Sequence, residues 1–290
     1  MKVFKLCSFQ TLKSSKFLLL GVAAGLIAIH LTITWKSDNT DLWGLSILFL
    51  AAVCSLIWKK RNTLNLETGI ISSFLGTLII AFVLFKITSP IGKFPDAIDK
   101  FHYVLPLISS VGLGLIASGF KGLKQYSQEL TILFFLGVPQ ATIPSLTDIS
   151  IFTAKFATAV LWYLGFEVSR QGVNVILPTG SVEVYSGCSG MVAILYLWGL
   201  AALFLVMFPI GWSKKILVPI VATLLAFAIN GGRVALMAVL AASSNKSAFD
   251  YWHTGNGSQI FAMTSVIIFG LFCFCLLQLN EAKNDDFVEF

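Results

Sequence analysis

Charge is what this sequence has least of. Only 12% of its 290 residues are Asp, Glu, Lys or Arg, and 57% are apolar, whereas soluble domains carry roughly 25% charged residues. At a mean hydropathy of +0.85, a water-soluble fold of this size could not hide its apolar surface. Lipid must therefore be the solvent. The five cysteines include no CxxC pair and no run with metal-ligand spacing, so no metal or cofactor is expected. A concentrated basic domain is missing too. The net charge is +6, but the basic residues fall in short runs between apolar segments: Lys13 and Lys16, Lys59-Lys60-Arg61, Lys121 and Lys124, Lys214-Lys215. That distribution suits topology signals rather than a nucleic-acid face, so membrane lipid is the expected partner and nucleic acid is not.

Long apolar runs take the place of charge. Spanning a ~30 Å hydrocarbon core takes about 20 apolar residues, and the candidate spans are Phe17–Trp35, Leu42–Trp58, Gly69–Phe85 and Phe101–Phe120, then a short one near Leu130–Ser145, and Met191–Phe208, Ile216–Ala242 and Ser258–Leu279. The expected fold is an all-α polytopic membrane protein with about eight transmembrane helices. Four N-terminal spans occupy 1–129 and a second region occupies 130–290. Pro139 and Pro144 limit the fifth span. The first resembles a signal peptide, but its apolar run is longer than a typical h-region and ends in Trp35-Lys36 with no small-x-small cleavage site, so it reads as a retained span. With the N-terminus inside, the inner segments 1–16, 59–68, 121–129, 209–215 and 280–290 hold 12 Lys and Arg in 53 residues; the long outer segment 146–190 holds only Lys155 and Arg170 in 45. The positive-inside rule then places both termini in the cytoplasm and that segment outside a bacterial inner membrane.

The outer segment departs from the apolar pattern. Asp148–Gly165 has helical periodicity ending in Trp162 and Tyr163, which suits a helix lying along the interface or dipping into it. Gln171–Val184 continues as GVNVILPTGSVEV after the glutamine, with β-branched residues alternating about a Pro-Thr-Gly-Ser turn, which reads as a small hairpin. It leads straight into Tyr185-Ser186-Gly187-Cys188-Ser189-Gly190.

Three residues there and beyond carry chemistry. Cys54, Cys273 and Cys275 lie in apolar segments, where cysteine is usually a packing residue, and Cys7 lies in a basic tail; Cys188 alone has polar, glycine-rich neighbours. It stands about three residues before a span, at an outer N-terminal end where backbone N–H groups and the helix dipole favour a thiolate and could line an oxyanion hole. Its bland reading is a small residue in a tight turn. Arg233 interrupts the run LLAFAINGGRVALMAVLAA; a guanidinium there is expensive and marks a functional site by default, the alternative being a snorkelling or helix-pairing arginine. It lies 17 residues past Ile216, about 25 Å up the helix and level with Cys188. His253 sits in Tyr251-Trp252-His253-Thr254-Gly255-Asn256-Gly257, ahead of the last span, where a titratable ring can work as general acid and base. Three independent topology placements put Cys, Arg and His on one side. Such a set is complete for acyl transfer: the thiolate attacks a peptide carbonyl to give a thioester, His253 protonates the departing amine and later activates the incoming nucleophile, and Arg233 steadies the oxyanion or orients the substrate.

The stretches EVYSGCSGM (Glu183–Met191), NGGRVALM (Asn230–Met237) and YWHTGNG (Tyr251–Gly257) resemble those of the exosortase/archaeosortase family of membrane-embedded cysteine transpeptidases. The lead-in features Pro139, Pro144, Gln171-Gly172 and the strand ending at Val184 also fit, and the likeness covers about Leu130 to Leu279, with the overall look closest to the cyanobacterial branch. The order and spacing of the motifs are specific; each alone is weak. The resemblance implies processing of exported proteins with a tripartite C-terminal signal: a short Pro-Glu-Pro-like motif, a transmembrane helix and a basic tail. It also implies catalytic roles for Cys188, Arg233 and His253, with a lipid or polysaccharide as a possible acceptor. Gly232 stands where a bulky apolar residue is common in the family, next to an unaltered arginine.

Two other readings compete. Gly187-Cys188-Ser189-Gly190 matches GxSG with Ser189 as nucleophile, as in a rhomboid-like serine intramembrane protease, though that chemistry needs no intramembrane arginine. A non-enzymatic transporter would use Arg233 to bind an anion, but no pair of interrupted helices stands in matching halves. The acceptor nucleophile, the individual substrates and the oligomeric state have no signature in the sequence.

Overall fold

A computed structural model describes residues 2–37, 40–88 and 100–285. The last residues of the C-terminal segment expected on the inner side, 286–290, fall outside them, as does the side chain of Cys7. The chain forms two compact units that meet in sequence at Ala141/Thr142.

In the first unit, α1 (Lys2–Lys36), α2 (Thr40–Lys60), α3 (Ile70–Thr88), α4 (Lys100–Gly122) and α5 (Ser127–Thr142) follow one another. α3 and α1 pack on α4, and α1 also packs on α2. Leu26, Ile80, Val83 and Leu105 form their common core. Among the polar groups buried in this unit, His30 Nε2 lies 2.9 Å from Ser46 Oγ, and Lys60 meets the buried carboxylate of Glu129 at 2.7 Å. The cost of an unpaired charge away from water explains that pairing. Pro139 lies within α5 and Pro144 in the short 3-10 turn that follows it, so the helix continues through the first proline and stops at the second.

The second unit holds α6 (Ser150–Tyr163), a small antiparallel sheet of β1 (Ser169–Gln171), β2 (Asn174–Leu177) and β3 (Gly180–Glu183), then α7 (Met191–Met207), α8 (Trp212–Ala242), α9 (Lys246–His253) and α10 (Asn256–Asp285). The expected two-stranded hairpin is present as β2–β3, turning at Pro178-Thr179, but a third strand joins it, giving the order β1-β2-β3. The added strand, Ser-Arg-Gln, is exposed throughout; with no apolar alternation it left no mark on the sequence pattern.

α8 organises this unit. Val218, Ala222, Ala226, Asn230, Val234 and Ala238 recur every four residues along it, and all are buried. Small side chains on one helix face let neighbouring backbones come close, and in lipid that close packing drives association. α6, α7 and α10 pack on α8, β3 rests on it, and α9 follows it directly. The segment expected at the interface, now α6, docks on α8 through Ala154, Ala157 and Leu161. At the hairpin tip Thr179 donates to the carbonyl of Ala242 at 2.7 Å, tying the sheet to the C-terminal end of α8.

The protein is thus an all-α polytopic membrane protein with a minor sheet. Among the described residues, six helical segments are long and apolar enough to cross a membrane, where eight spans were expected. One of the six, Lys100–Ser145, contains both α4 and α5, broken at Gly119 (φ 65°) and by a 3-10 turn, and α7 is shorter and stands apart from the six.

Two adjacent glycines of α8 give a test of this packing. A Cβ on Gly231 would lie 2.2 Å from the Phe156 ring of α6, whereas one on Gly232 meets nothing within 4 Å. Gly231→Val should cost about 1–3 kcal/mol by overpacking and lower the detergent-solubilised melting temperature. Gly232→Val should leave it unchanged.

Candidate active site

The turn that carries Cys188 is built from short-range hydrogen bonds. After β3 the chain enters a 3-10 turn, Ser186–Cys188, in which the Cys188 N–H donates to Tyr185 O at 2.9 Å and the Ser189 N–H to Ser186 O at 3.3 Å. Gly190 then takes φ 89°, a left-handed conformation that glycine alone adopts cheaply, and α7 begins at Met191. Two neighbouring helices hold the turn from below. Asn230 Nδ2 of α8 donates to Cys188 O at 3.0 Å, and Thr153 Oγ1 of α6 donates to Ser189 O at 2.6 Å. The two N–H groups nearest the sulfur are therefore engaged in the turn itself, so the oxyanion hole expected from them is not offered by Cys188 or Ser189.

The three residues singled out in the sequence do meet. His253, the last residue of α9, places Nε2 3.4 Å from Cys188 Sγ, and its ring lies 5.1 Å from that of Phe249, one helical turn earlier. Arg233, one turn beyond Asn230 on α8, donates from Nη2 to the carbonyl of His253 at 2.6 Å. The end of α9 is thus fastened to α8 by the guanidinium. Arg233 Nε is buried with no hydrogen-bond partner. All three side chains line one cleft of about 220 Å³, together with β3 and Phe249.

Electrostatics separate the groups. Removal from water, and next the charge of Arg233, hold the His253 imidazole below the usual histidine range, while Asp250 pulls the other way. The ring is therefore neutral at neutral pH and able to take a proton from the thiol. Tyr185 is pushed the opposite way. Its hydrogen bond to Cys188, then burial and the thiolate's charge, raise its phenol, against a smaller opposing pull from Arg233. The phenol stays protonated and remains a donor.

Tyr185 and Asn230 were not assigned from sequence. Asn230 had a readable signal, since it lies three residues before Arg233 on an apolar helix and so shares its face. Tyr185 had none beyond adjacency, because its approach to the sulfur depends on the turn. Ser189, the alternative nucleophile, is buried; its hydroxyl donates to Ser186 O at 2.7 Å and accepts from the Met191 N–H at 3.3 Å. His30 and His102 belong to the other unit. Among the described residues no three His, Cys, Asp or Glu side chains gather as a metal-holding group.

Comparison with known proteins agrees with the motifs. The family model described as transmembrane exosortase matches residues 35–270, a stretch that includes every residue of this cleft. No curated protein and no solved structure gives a significant match. With most of its length covered by that one model, the chain belongs to the transmembrane exosortase family.

Proposed function

We propose that this protein is a cysteine peptidase or transpeptidase of the inner membrane. It cleaves exported proteins at a C-terminal signal made of a Pro-Glu-Pro-type motif, a transmembrane helix and a basic tail. The observation that carries the reading is the 3.4 Å approach of His253 Nε2 to Cys188 Sγ in a cleft bordered by a fixed guanidinium. The positive-inside bias sets the cleft on the periplasmic face, where the junction between a folded exported domain and its tail helix would lie.

The steps follow from the groups present. Neutral His253 takes the Cys188 proton, and the thiolate attacks the scissile carbonyl. Negative charge develops on that oxygen. The Tyr185 hydroxyl and Arg233 line the same cleft as the sulfur and are not spent in the turn, and they stabilise it. Imidazolium at His253 then gives its proton to the leaving amine, which departs with the tail and leaves an acyl thioester on Cys188. An incoming amine or hydroxyl, or water, loses its proton to His253 and displaces the sulfur. The bond between Arg233 and the His253 carbonyl keeps the ring in register through both halves. The commitment of the Ser189 hydroxyl to the turn and to the start of α7 weighs against a serine nucleophile. An anion-binding transporter would have no use for the Cys–His contact.

Co-expression with a reporter ending in such a tripartite tail tests the reading. Cys188→Ala should abolish the size change of the reporter, whereas Ser189→Ala should retain most of it. Loss in Ser189→Ala alone would favour the serine mechanism, and processing that survives Cys188→Ala would contradict the proposal.

The pH profile of kcat/KM gives a second test. The neutral imidazole is the working form in the free enzyme, so activity should rise with pH through an acid limb placed below the ordinary histidine value, as the lowered pKa of His253 requires. Asp250→Asn removes the influence that raises this pKa, and the limb should move further toward acid. A shift toward neutral pH would contradict the assignment.

A further inference from the structure

The cleft has an unusual wall. Ser181, Val182, Glu183 and Val184 all line it. Side chains of consecutive strand residues point to opposite faces, so four in a row can border one cleft only if the strand presents its edge. The pairing pattern agrees. The Val184 N–H donates to Val173 O at 3.1 Å, and Val182 lies opposite Val175 and Gly180 opposite Leu177. Peptide groups alternate in direction along an antiparallel strand. Gly180, Val182 and Val184 therefore turn their N–H and C=O toward β2, while Ser181 and Glu183 turn theirs away. β3 is the last strand of the sheet. Among the described residues, no hydrogen bond reaches the outward peptide groups of Ser181 and Glu183 from another segment. The opposite wall belongs to α9, through Phe249 and His253, and the floor to α8, through Val234, Met237 and Ala241.

The dimensions suit one occupant. Arg233 to Ala241 is eight residues of helix, about 12 Å, and Ser181–Val184 spans about 10 Å of strand. A groove with an open strand edge on one side, an apolar floor and a nucleophile at one end accepts an extended peptide of about four residues. A helix would be too wide, and it would leave the edge groups unpaired. We infer that the substrate segment flanking the scissile bond binds as a fourth strand on β3, through the outward peptide groups of Ser181 and Glu183, which brings its carbonyl to Cys188. This rests on the proposed peptidase reading and adds how the substrate is held: main-chain bonds supply a sequence-tolerant grip, and the α8 floor sees alternate side chains.

The test uses the purified full chain in detergent and a synthetic peptide spanning the tripartite tail. Proline at Ser181 deletes an outward N–H while sparing the β2 ladder, a substitution that sheet edges tolerate. Arg170→Pro is the matched control, since Arg170 lies opposite Val175, whose groups face β3, and so points outward from the far edge. Ser181→Pro should lower kcat/KM about tenfold or more, mostly through KM, while Arg170→Pro stays near wild type. Independently of any variant's folding, N-methylation of successive peptide residues should impair cleavage by the wild-type enzyme at every second position. Equal activity of the two proline variants, or a flat N-methyl profile, would overturn the inference and leave the peptidase reading standing. No Cys188-dependent cleavage of the unmodified peptide would remove that reading, and this inference with it.

Discussion

An arginine on an apolar helix must find oxygen, and here Arg233 finds the main-chain carbonyl of His253. The cost of a guanidinium in such a setting makes the bond compulsory, and it fixes where α9 ends. Asn230 imposes the same demand one turn earlier and meets it with the carbonyl of Cys188. One face of α8 thus holds both halves of the cleft by their backbones, leaving the sulfur and the imidazole free to face one another. Side chains that must be satisfied serve as rulers. The reactive groups need no direct anchoring of their own.

The ruler works only because the rest of α8 lets its neighbours come close. The four-residue stripe of Val218, Ala222, Ala226, Asn230, Val234 and Ala238 brings α6 near enough for Thr153 to reach Ser189 O. α7 can then start at the foot of the same turn. The sheet is held from the other end by the bond from Thr179 to Ala242. Lipid supplies no hydrophobic drive between helices, so this arrangement depends on close packing and on a few obligatory polar bonds. The cleft sits where those bonds concentrate.

Much of this was legible in the sequence because lipid enforces simple patterns. Apolar length marked the helices, and a charge in the wrong solvent marked Arg233. Polar, glycine-rich settings separated Cys188 and His253 from the other cysteines and histidines, and the structure does bring the three together. Less visible were features set by tertiary geometry. β1 is three polar residues with no alternation to betray it. Tyr185 reaches the sulfur only because a 3-10 turn folds it back. The backbone donors expected beside Cys188 are consumed by that same turn, which shifts oxyanion stabilisation toward Tyr185 and Arg233 in our account. Span counting was limited by α7, shorter than the other long helices, and by α4 and α5, which run together as a single apolar stretch.

The central claim is that Cys188 becomes covalently acylated, and mass spectrometry can read that directly. Wild-type protein is incubated with a tripartite-tail peptide, quenched in acid and digested. The account predicts a hydroxylamine-labile adduct on the Cys188 peptide, carrying the substrate fragment N-terminal to the cleaved bond. Cleavage without any such adduct, or an adduct located on Ser189, would contradict it.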